Sequence, residues 1–373
     1  MRLLVVFFLL YGGIQAYVAH AVNHAFALSG PARLLVWLAA LLLTLSPLLL
    51  WQLERNPGAG VLSVGIAWIV FCWMGYAFLF FWLGLGLNLY ELGARLAGLP
   101  MLAARHAFLA LAMVTLTIWA YGFNSAWKPR VQRVSIESGK LPHDFPGLRI
   151  VQISDVHLGL LIGRHRLDRI LEQVAALQPD VLVSTGDLVD AEAAHLDGLS
   201  SRLAAYRPRL GKFAVTGNHE AYVGLEHALD FHRRAGFQLL RGETVELGGM
   251  ITLAGVDDPA VLAGVADETR ILAGIPADRF VLLLKHQPVV APGGRFDLQL
   301  SGHTHRGQIF PFDLLVRRAY PMIEGLSTLS DGRQLYVSRG TGTWGPPIRV
   351  LAPPEITLIE LKAPRSQAAA AAR

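Results

Sequence analysis

Residues 148–159 read LRIVQISDVHLG, and this stretch decides the fold of the larger part of the chain. A short run of β-branched and apolar residues that ends in small polar ones is typical of a buried strand. In open α/β sheets, binding sites form where strands end at their carboxyl side. The stretch therefore predicts a strand over Leu148–Ile153 that carries Asp155 and His157 into a site.

The same pattern recurs four times along residues 181–305. Each apolar run ends in a short loop that carries Asp, Asn or His, and a run with helical spacing lies over Leu167–Leu177. The runs are Val181–Ser184, Phe213–Thr216, Phe280–Leu284 and Leu298–Leu300. Alternating strands and helices predict an α/β layered domain in which the five loops converge on one place.

The strand-end loops supply two carboxylates, one amide and five imidazoles. These are Asp155, His157, Asp187, Asn218, His219, His286, His303 and His305. Such a mixture suits Mn, Fe or Zn, whereas Ca and Mg prefer oxygen ligands alone. The pairs Asp155-x-His157 and His303-x-His305 are expected to be extended, so that both members of a pair point the same way. A carboxylate has two oxygens, so Asp187 is the expected bridge between two ions.

Other polar residues near the loops allow more than one interpretation. Asp190 is expected either to cap a helix or to orient a ligand, and Glu220 to be structural. Trp344 and Arg349 either line a cleft or serve packing and a surface ion pair. The remaining histidines of the helical and loop stretches are predicted to lie at the surface: His165, His195, His227 and His232.

Five ordered blocks resemble those of calcineurin-like metallophosphoesterases. They are SDVHLG (154–159), GDLVD (186–190), GNHE (217–220), KH (285–286) and GHTHRGQ (302–308). The block RGTGTWGPPIRVLAPPEITLIEL (339–361) is similar to the end of the bacterial branch that includes membrane-bound and exported phosphodiesterases. The resemblance covers residues 130–362 and implies a four-layer α-β-β-α sandwich.

The resemblance also implies a role for each matching residue. One ion would be held by Asp155, His157 and His305, the second by Asn218, His286 and His303, and Asp187 would bridge them. The expected catalytic residues are His219, as the general acid, and Asn218. Arg306 stands where many relatives have glycine, which puts a local substrate contact in question.

These residues predict a dinuclear metal-dependent phosphoric ester hydrolase. A hydroxide bridging two divalent ions (Mn, Fe or Zn) would attack a phosphodiester or a lipid-linked phosphoester. The alternative is a membrane-bound binding or sensor module that uses the same fold without turnover. The complete ligand set favours the enzyme, because inactive versions usually lose ligands.

Residues 1–127 contain only five of the 33 basic and two of the 28 acidic residues. Four charge-free apolar stretches predict about four transmembrane helices: Leu3–Ala19, Leu34–Leu53, Val61–Tyr90 and Ala107–Phe123. A cleaved signal peptide is the alternative for the first stretch, and residues 90–106 are expected to form a loop or interfacial helix. The predicted domains are 1–127 (membrane), 128–147 (linker and first edge strand), 148–362 (metallophosphoesterase) and 363–373 (disordered tail).

Charge suggests a location and excludes one class of partner. An even number of spans puts the N-terminus and the catalytic domain on one side, which would hold six Lys and Arg residues against three opposite. This count favours a multi-pass inner-membrane protein with a cytoplasmic domain.

Residues 128–373 carry a net charge of only +2 without a basic cluster, so nucleic acid is not an expected partner. Cys72 is the only cysteine, which excludes a disulfide framework. Oligomeric state stays open.

Overall fold

A computed structural model describes residues 2–54, 60–190, 196, 198–261 and 268–364. The chain divides into two compact units. The first contains Met1–Asn124 and Gly345–Val350, and the second contains Ser125–Trp344 and Leu351–Arg373. The predicted disordered tail lies, from residue 365 on, outside the described residues.

The described part of the first unit is built on four long apolar helices. They are α1 (Arg2–Phe26), α2 (Gly30–Glu54), α3 (Gly60–Leu96) and α4 (Ala104–Ala126). Each is long and apolar enough to cross a membrane. Large apolar side chains such as Leu42, which is 70% exposed, face outward as lipid-facing residues do. The predicted number of helices is confirmed, but α3 continues through Glu91 and Arg95 to Leu96, where a loop or interfacial helix was expected.

Small residues allow close packing within this unit. A Cβ atom on Gly75 would lie 3.0 Å from the Ile348 side chain, and one on Gly122 would lie 2.8 Å from that of Val350. The Arg349 backbone N–H donates to the Gly122 carbonyl at 2.9 Å. Arg349 itself is fully buried, so the surface ion pair considered for it is wrong.

The second unit contains two six-stranded sheets in its described part. The first has the order β1-β12-β2-β3-β4-β5 and the second the order β10-β11-β9-β8-β7-β6. The strands are β1 (Arg130–Glu137), β2 (Leu148–Ile153), β3 (Val181–Thr185), β4 (Lys212–Val215), β5 (Gln238–Leu239), β6 (Glu243–Leu247), β7 (Ile251–Gly255), β8 (Phe280–Leu284), β9 (Leu298–Ser301), β10 (Gly325–Thr328), β11 (Gln334–Val337) and β12 (Glu355–Lys362). The helices are α5 (Arg164–Ala176), α6 (Leu199–Ala205), α7 (Asn218–Tyr222), α8 (Leu225–Arg234), α9 (Glu268–Ala273) and α10 (Asp313–Ala319).

The hydrophobic cores show the layer order. One core joins the two sheets face to face and includes Ile150 of β2 and Leu282 of β8. A second core packs α5, α6 and α8 on the outer face of the first sheet, with Val151 of β2 in it. A third packs α9 on the outer face of the second sheet. The predicted four-layer α-β-β-α sandwich is confirmed.

Strand direction places the polar loops at sheet edges. β2, β3 and β4 run parallel, as do β8 and β9. Alternate residues of β2 reach opposite cores, which explains why the strand is apolar on both faces. The carboxyl ends of parallel strands lie together, so the loops after these five strands start from common edges.

Candidate metal centre

Backbone hydrogen bonds hold the loops after β2 and β3 side by side. The N–H groups of Asp155 and His157 donate to the carbonyls of Gly186 and Asp187, each at 3.0 Å. A parallel bridge between Leu158 and Val189 continues the pairing. The loops therefore bring Asp155, His157 and Asp187 together.

Five of the candidate ligands have left-handed backbone conformations. Their φ values are 51° at Asp155, 53° at His157, 52° at Asp187, 68° at His303 and 47° at His305. The expectation of extended Asp-x-His and His-x-His pairs is therefore wrong. Non-glycine residues adopt this region at a cost that surrounding structure must offset, and such residues concentrate at functional sites. Here the hydrogen bonds between neighbouring loops hold them.

Two glycines leave space for the carboxylates. A Cβ atom on Gly302 would overlap Ser154 Oγ and Asp155 Oδ2, and one on Gly217 would overlap Asp187 Oδ1. The His303 N–H donates to Asp155 Oδ1 at 2.9 Å. The glycine before His303 thus lets the two loops approach closely.

The first group of donor atoms comes from Asp155, His157 and His305, whose ligand atoms all lie within 4.8 Å of one another. His157 Nε2 lies 3.1 Å from His305 Nε2, and His305 Nε2 lies 3.4 Å from Asp155 Oδ1. Three donor atoms this close to one another could hold a metal ion.

A second group contains Asp187, His286 and His303, again within 4.8 Å. His286 Nε2 lies 3.2 Å from Asp187 Oδ2 and 3.2 Å from Asn218 Oδ1. His286 Nδ1–H donates to the Thr185 carbonyl at 2.8 Å. In the neutral ring this bond places the proton on Nδ1 and leaves Nε2 free to bind a metal ion, as in known metal-ligating histidines.

Asp187 also belongs to a third group, with His157 and His219. Its Oδ1 accepts from the His219 backbone N–H at 2.8 Å. All eight predicted site residues therefore lie in one cluster. Asp187 belongs to the second and third groups, and His157 links the third group to the first.

The buried carboxylates show that the cluster suits cations. Burial would raise the pKa of Asp155, but His305 holds it well below its usual value. Burial likewise opposes the charge of Asp187, and His286 holds its pKa far below the usual range. Carboxylates buried together require positive charge nearby, and the mixed carboxylate–imidazole donors fit Mn, Fe or Zn.

His219 is paired with Asp190, although the sequence left the role of this aspartate open. His219 Nδ1 lies 2.6 Å from Asp190 Oδ1, and Asp190 Oδ2 lies 3.6 Å from His157 Nδ1. Burial lowers the pKa of His219, but the charge of Asp190 outweighs it and the pKa rises to about 9. The helix-capping alternative for Asp190 stays a prediction, because residues 191–195 lie outside the described range. The same holds for His195, which was predicted at the surface.

Glu220 and Tyr320 support the cluster through contacts that the sequence does not indicate. Glu220 is fully buried and accepts from four backbone N–H groups, those of Asp187, Leu188, Val189 and Gly217. Tyr320 Oη lies 3.0 Å from His303 Nε2, a contact for which the sequence has no signal. His232, predicted at the surface, is fully buried, and its Nδ1 donates to the Ala228 carbonyl at 2.8 Å.

Exposed aromatic rings flank His219. Tyr222 and Trp344 are 70% and 56% exposed, with ring centroids 5.3 and 5.4 Å from that of His219. Arg306 is left-handed, with φ 51°, and its Nε lies 2.6 Å from Glu324 Oε1. The guanidinium is thus held by a carboxylate of the same domain.

The fold and these donor groups define an α/β protein with a candidate metal centre. A sequence profile described as calcineurin-like phosphoesterase matches residues 148–307. An uncharacterized metallophosphoesterase of Aquifex aeolicus (strain VF5) is 39% identical over 256 residues, 67% of this chain and 98% of that protein. The chain belongs to the calcineurin-like phosphoesterase family, a membership that implies divalent metal ions.

Two further relatives differ in how much of their length is matched. An uncharacterized metallophosphoesterase of Campylobacter jejuni is 37% identical over 265 residues, 68% of this chain and 69% of that protein. A Danio rerio protein named transmembrane protein with metallophosphoesterase domain is 36% identical over 278 residues, 69% of this chain. The match spans 63% of that protein's own length.

Proposed function

We propose that the chain is a membrane-anchored, dinuclear metal-dependent phosphoric ester hydrolase. The observation that carries the proposal is the position of Asp187, whose carboxylate belongs to the donor group of His286 and His303. The same carboxylate also forms a group with His157, which is a member of the first donor group. A carboxylate between two ligand sets is the arrangement by which proteins hold two ions about 3.5–4 Å apart.

The proposed ligand sets follow the donor groups. Asp155, His157 and His305 would hold one ion, Asn218, His286 and His303 would hold the second, and Asp187 would be shared by both. Asn218 is supported by its Oδ1, which faces the same nitrogen of His286 as Asp187 does. Mn, Fe and Zn are the candidate metals.

Bound divalent ions would neutralise the phosphoryl oxygens and supply an activated water. The chain's own contribution is a proton. Since Asp190 occupies Nδ1 of His219, the ring is held with Nε2 available to a leaving oxygen. A pKa of about 9 keeps this histidine protonated at neutral pH, as a general acid requires.

The proposed substrate is a phosphodiester or a lipid-linked phosphoester. The exposed rings of Tyr222 and Trp344 beside His219 support a leaving group with apolar surface. Aromatic side chains offer large contact areas at little cost in conformational entropy.

Residues 1–127 are proposed as the membrane domain, 128–147 as linker and edge strand, and 148–362 as the catalytic domain. The four apolar helices and the name of the Danio rerio relative support the membrane location. The Lys and Arg count supports an inner-membrane protein with the catalytic domain in the cytoplasm. A reporter fused after Arg373 that is active only outside the inner membrane would reverse the orientation.

The decisive experiment uses the purified full-length protein, stripped of metal and reloaded with Mn²⁺, Fe²⁺ or Zn²⁺. Phosphomonoesters, phosphodiesters and lipid pyrophosphates are assayed with each metal. We expect two ions per chain and hydrolysis of at least one class, and both are lost together in Asp187→Ala. Asp230→Ala, at a partly exposed aspartate outside the donor groups, is the control. Two bound ions without hydrolysis of any substrate would favour the sensor alternative.

A further inference from the structure

The segment that follows the GHTHRGQ loop has an unusual surface. Residues 310–318 read FPFDLLVRR, and α10 within them buries none of its residues. Phe310 and Phe312 are 46% and 47% exposed, and Leu314 and Leu315 are each 61% exposed. A surface helix of a globular domain normally turns its apolar stripe to the core, whereas α10 turns its leucines outward.

Two arginines complete the segment. Arg317 and Arg318 lie in the last turn of α10 and are exposed. Arg317 forms two long ion pairs, at 3.8 Å with Glu324 and at 3.9 Å with Asp313. Within the described part of the chain Arg318 makes no ion pair. Exposed apolar residues beside exposed basic ones are characteristic of elements that lie in a membrane interface.

Two further exposed apolar residues are hydrogen-bonded to the GHTHRGQ loop, which directly precedes this segment. The Gln308 side chain pairs with the Trp344 backbone through two hydrogen bonds, of 2.8 and 2.9 Å. Leu351, which is 59% exposed, accepts a hydrogen bond from Arg306 through its carbonyl. We call Phe310, Phe312, Leu314, Leu315, Trp344 and Leu351 the apolar rim.

The apolar rim borders the candidate metal centre. Tyr320, the residue after α10, contacts His303, and Trp344 contacts His219. The rim therefore adjoins residues of the second donor group and the proposed general acid.

We propose that the apolar rim inserts into the headgroup region of an anionic phospholipid bilayer. Charge complementarity supports this occupant, since Arg317 and Arg318 would meet lipid phosphates while the leucines enter the acyl boundary. The chain sequence supports it too, since β1 of this domain begins at Arg130, four residues after α4, the last candidate span, ends at Ala126.

Insertion of the apolar rim would also select the substrate class, an inference that rests on the proposed function. A phosphoester at headgroup level would reach the metal centre without leaving the bilayer. The substrate class would then be anionic phospholipids or lipid-linked phosphoesters rather than soluble esters.

The test measures insertion without using activity. The full chain with Cys72→Ala carries a single fluorescent label at Leu315→Cys and is reconstituted in nanodiscs of phosphatidylglycerol and phosphatidylcholine. The control label is at Asp144→Cys, an exposed position before the amino end of β2, whereas the ligand loops follow strand carboxyl ends. We expect spin-labelled acyl chains to quench the label at 315 strongly and acrylamide to quench it weakly. The label at 144 should be quenched strongly by acrylamide and weakly by the spin-labelled acyl chains.

The charge part of the proposal is tested in the same nanodiscs. Arg318→Gln is expected to lower the ratio of inserted to free rim about fivefold in phosphatidylglycerol, and little in phosphatidylcholine alone. Equal acrylamide quenching at both labels would overturn insertion. Protection from acrylamide without quenching by lipid labels would identify a protein partner or second copy as the occupant, and would also overturn it.

An activity arm separates this inference from the proposed function. The variant with Leu314→Glu and Leu315→Glu is expected to hydrolyse a bilayer phosphoester at least tenfold more slowly, with unchanged turnover of a soluble aryl phosphodiester. Equal losses on both substrates would contradict the substrate class. Absence of all hydrolysis in the unmodified chain would contradict the proposed function, while the fluorescence result would still decide insertion.

Discussion

His219 Nδ1 and Asp190 Oδ1 lie 2.6 Å apart, so a carboxylate fixes the imidazole ring of His219. The two residues come from different loops, after β3 and β4. The contact fixes the ring orientation and raises the affinity of His219 for a proton.

Asp190→Asn tests the electrostatic part of this contact. The pKa of His219 is raised to about 9, so its protonated form persists below that pH and is lost above it. Removing the negative charge is expected to lower this pKa by about one to three units. The alkaline limb of the kcat–pH profile should therefore move to lower pH, while Asp230→Asn leaves it in place. An unmoved limb in Asp190→Asn would assign that limb to another group.

Glu220→Gln tests the support under Asp187. Both oxygens of Glu220 accept backbone N–H groups in a fully buried position. An amide turns one acceptor into a donor that faces donors, which costs about 1–3 kcal/mol. Each kcal/mol should lower the thermal unfolding midpoint by about 2–4 °C in a domain of this size. The exposed Glu172→Gln variant should unfold as the original protein does, and a Glu220→Gln midpoint equal to it would refute the role.

Gly302→Ala tests the close approach of two ligand loops. The added methyl group would overlap Ser154 Oγ and Asp155 Oδ2, so Asp155 or His303 must shift. We expect metal affinity to fall by roughly 10- to 100-fold, as for changes behind metal ligands. Competition with a chelator measures this. Gly139→Ala is the control because a Cβ there meets no atom within 4 Å. Equal affinities in the two variants would show that the space is not needed.

Local sequence patterns predict the bounds of buried strands but not the backbone conformation of the ligand loops. β2 and β8 have the predicted bounds because apolar residues lie on both faces of each strand and polar loop residues follow each one. The left-handed conformations of Asp155, His157 and Asp187 were not predictable, since hydrogen bonds between separate loops hold them. The contact of Tyr320 with His303 likewise depends on the path of α10.

Trp344→Ala tests the aromatic surface beside His219. The exposed indole ring is expected to contact the leaving group, so its loss should raise KM by roughly twofold to tenfold for esters with apolar leaving groups. kcat and metal content should stay unchanged. Trp344→Phe keeps a ring and should retain most of the affinity. Steady-state kinetics on aryl and methyl diesters provide the measurement, and an equal KM effect on both would argue against a leaving-group contact.

His219→Ala separates proton donation from metal binding. A ring nitrogen of His219 lies within 4.8 Å of donor atoms of His157 and Asp187, so it is close enough to be a ligand. Its Nδ1 is bonded to Asp190, however, and we expect the other nitrogen to protonate the leaving oxygen. The variant should then keep both ions and lose roughly 10²–10⁴-fold in kcat. The loss should be small for a nitrophenyl ester, because nitrophenolate leaves without a proton, and large for an alkyl ester.

His165→Ala, at an exposed histidine of the same domain, should change neither the metal content nor kcat. Equal losses on both esters with both ions present would exclude His219 as the leaving-group acid, and loss of one ion would identify it as a ligand instead.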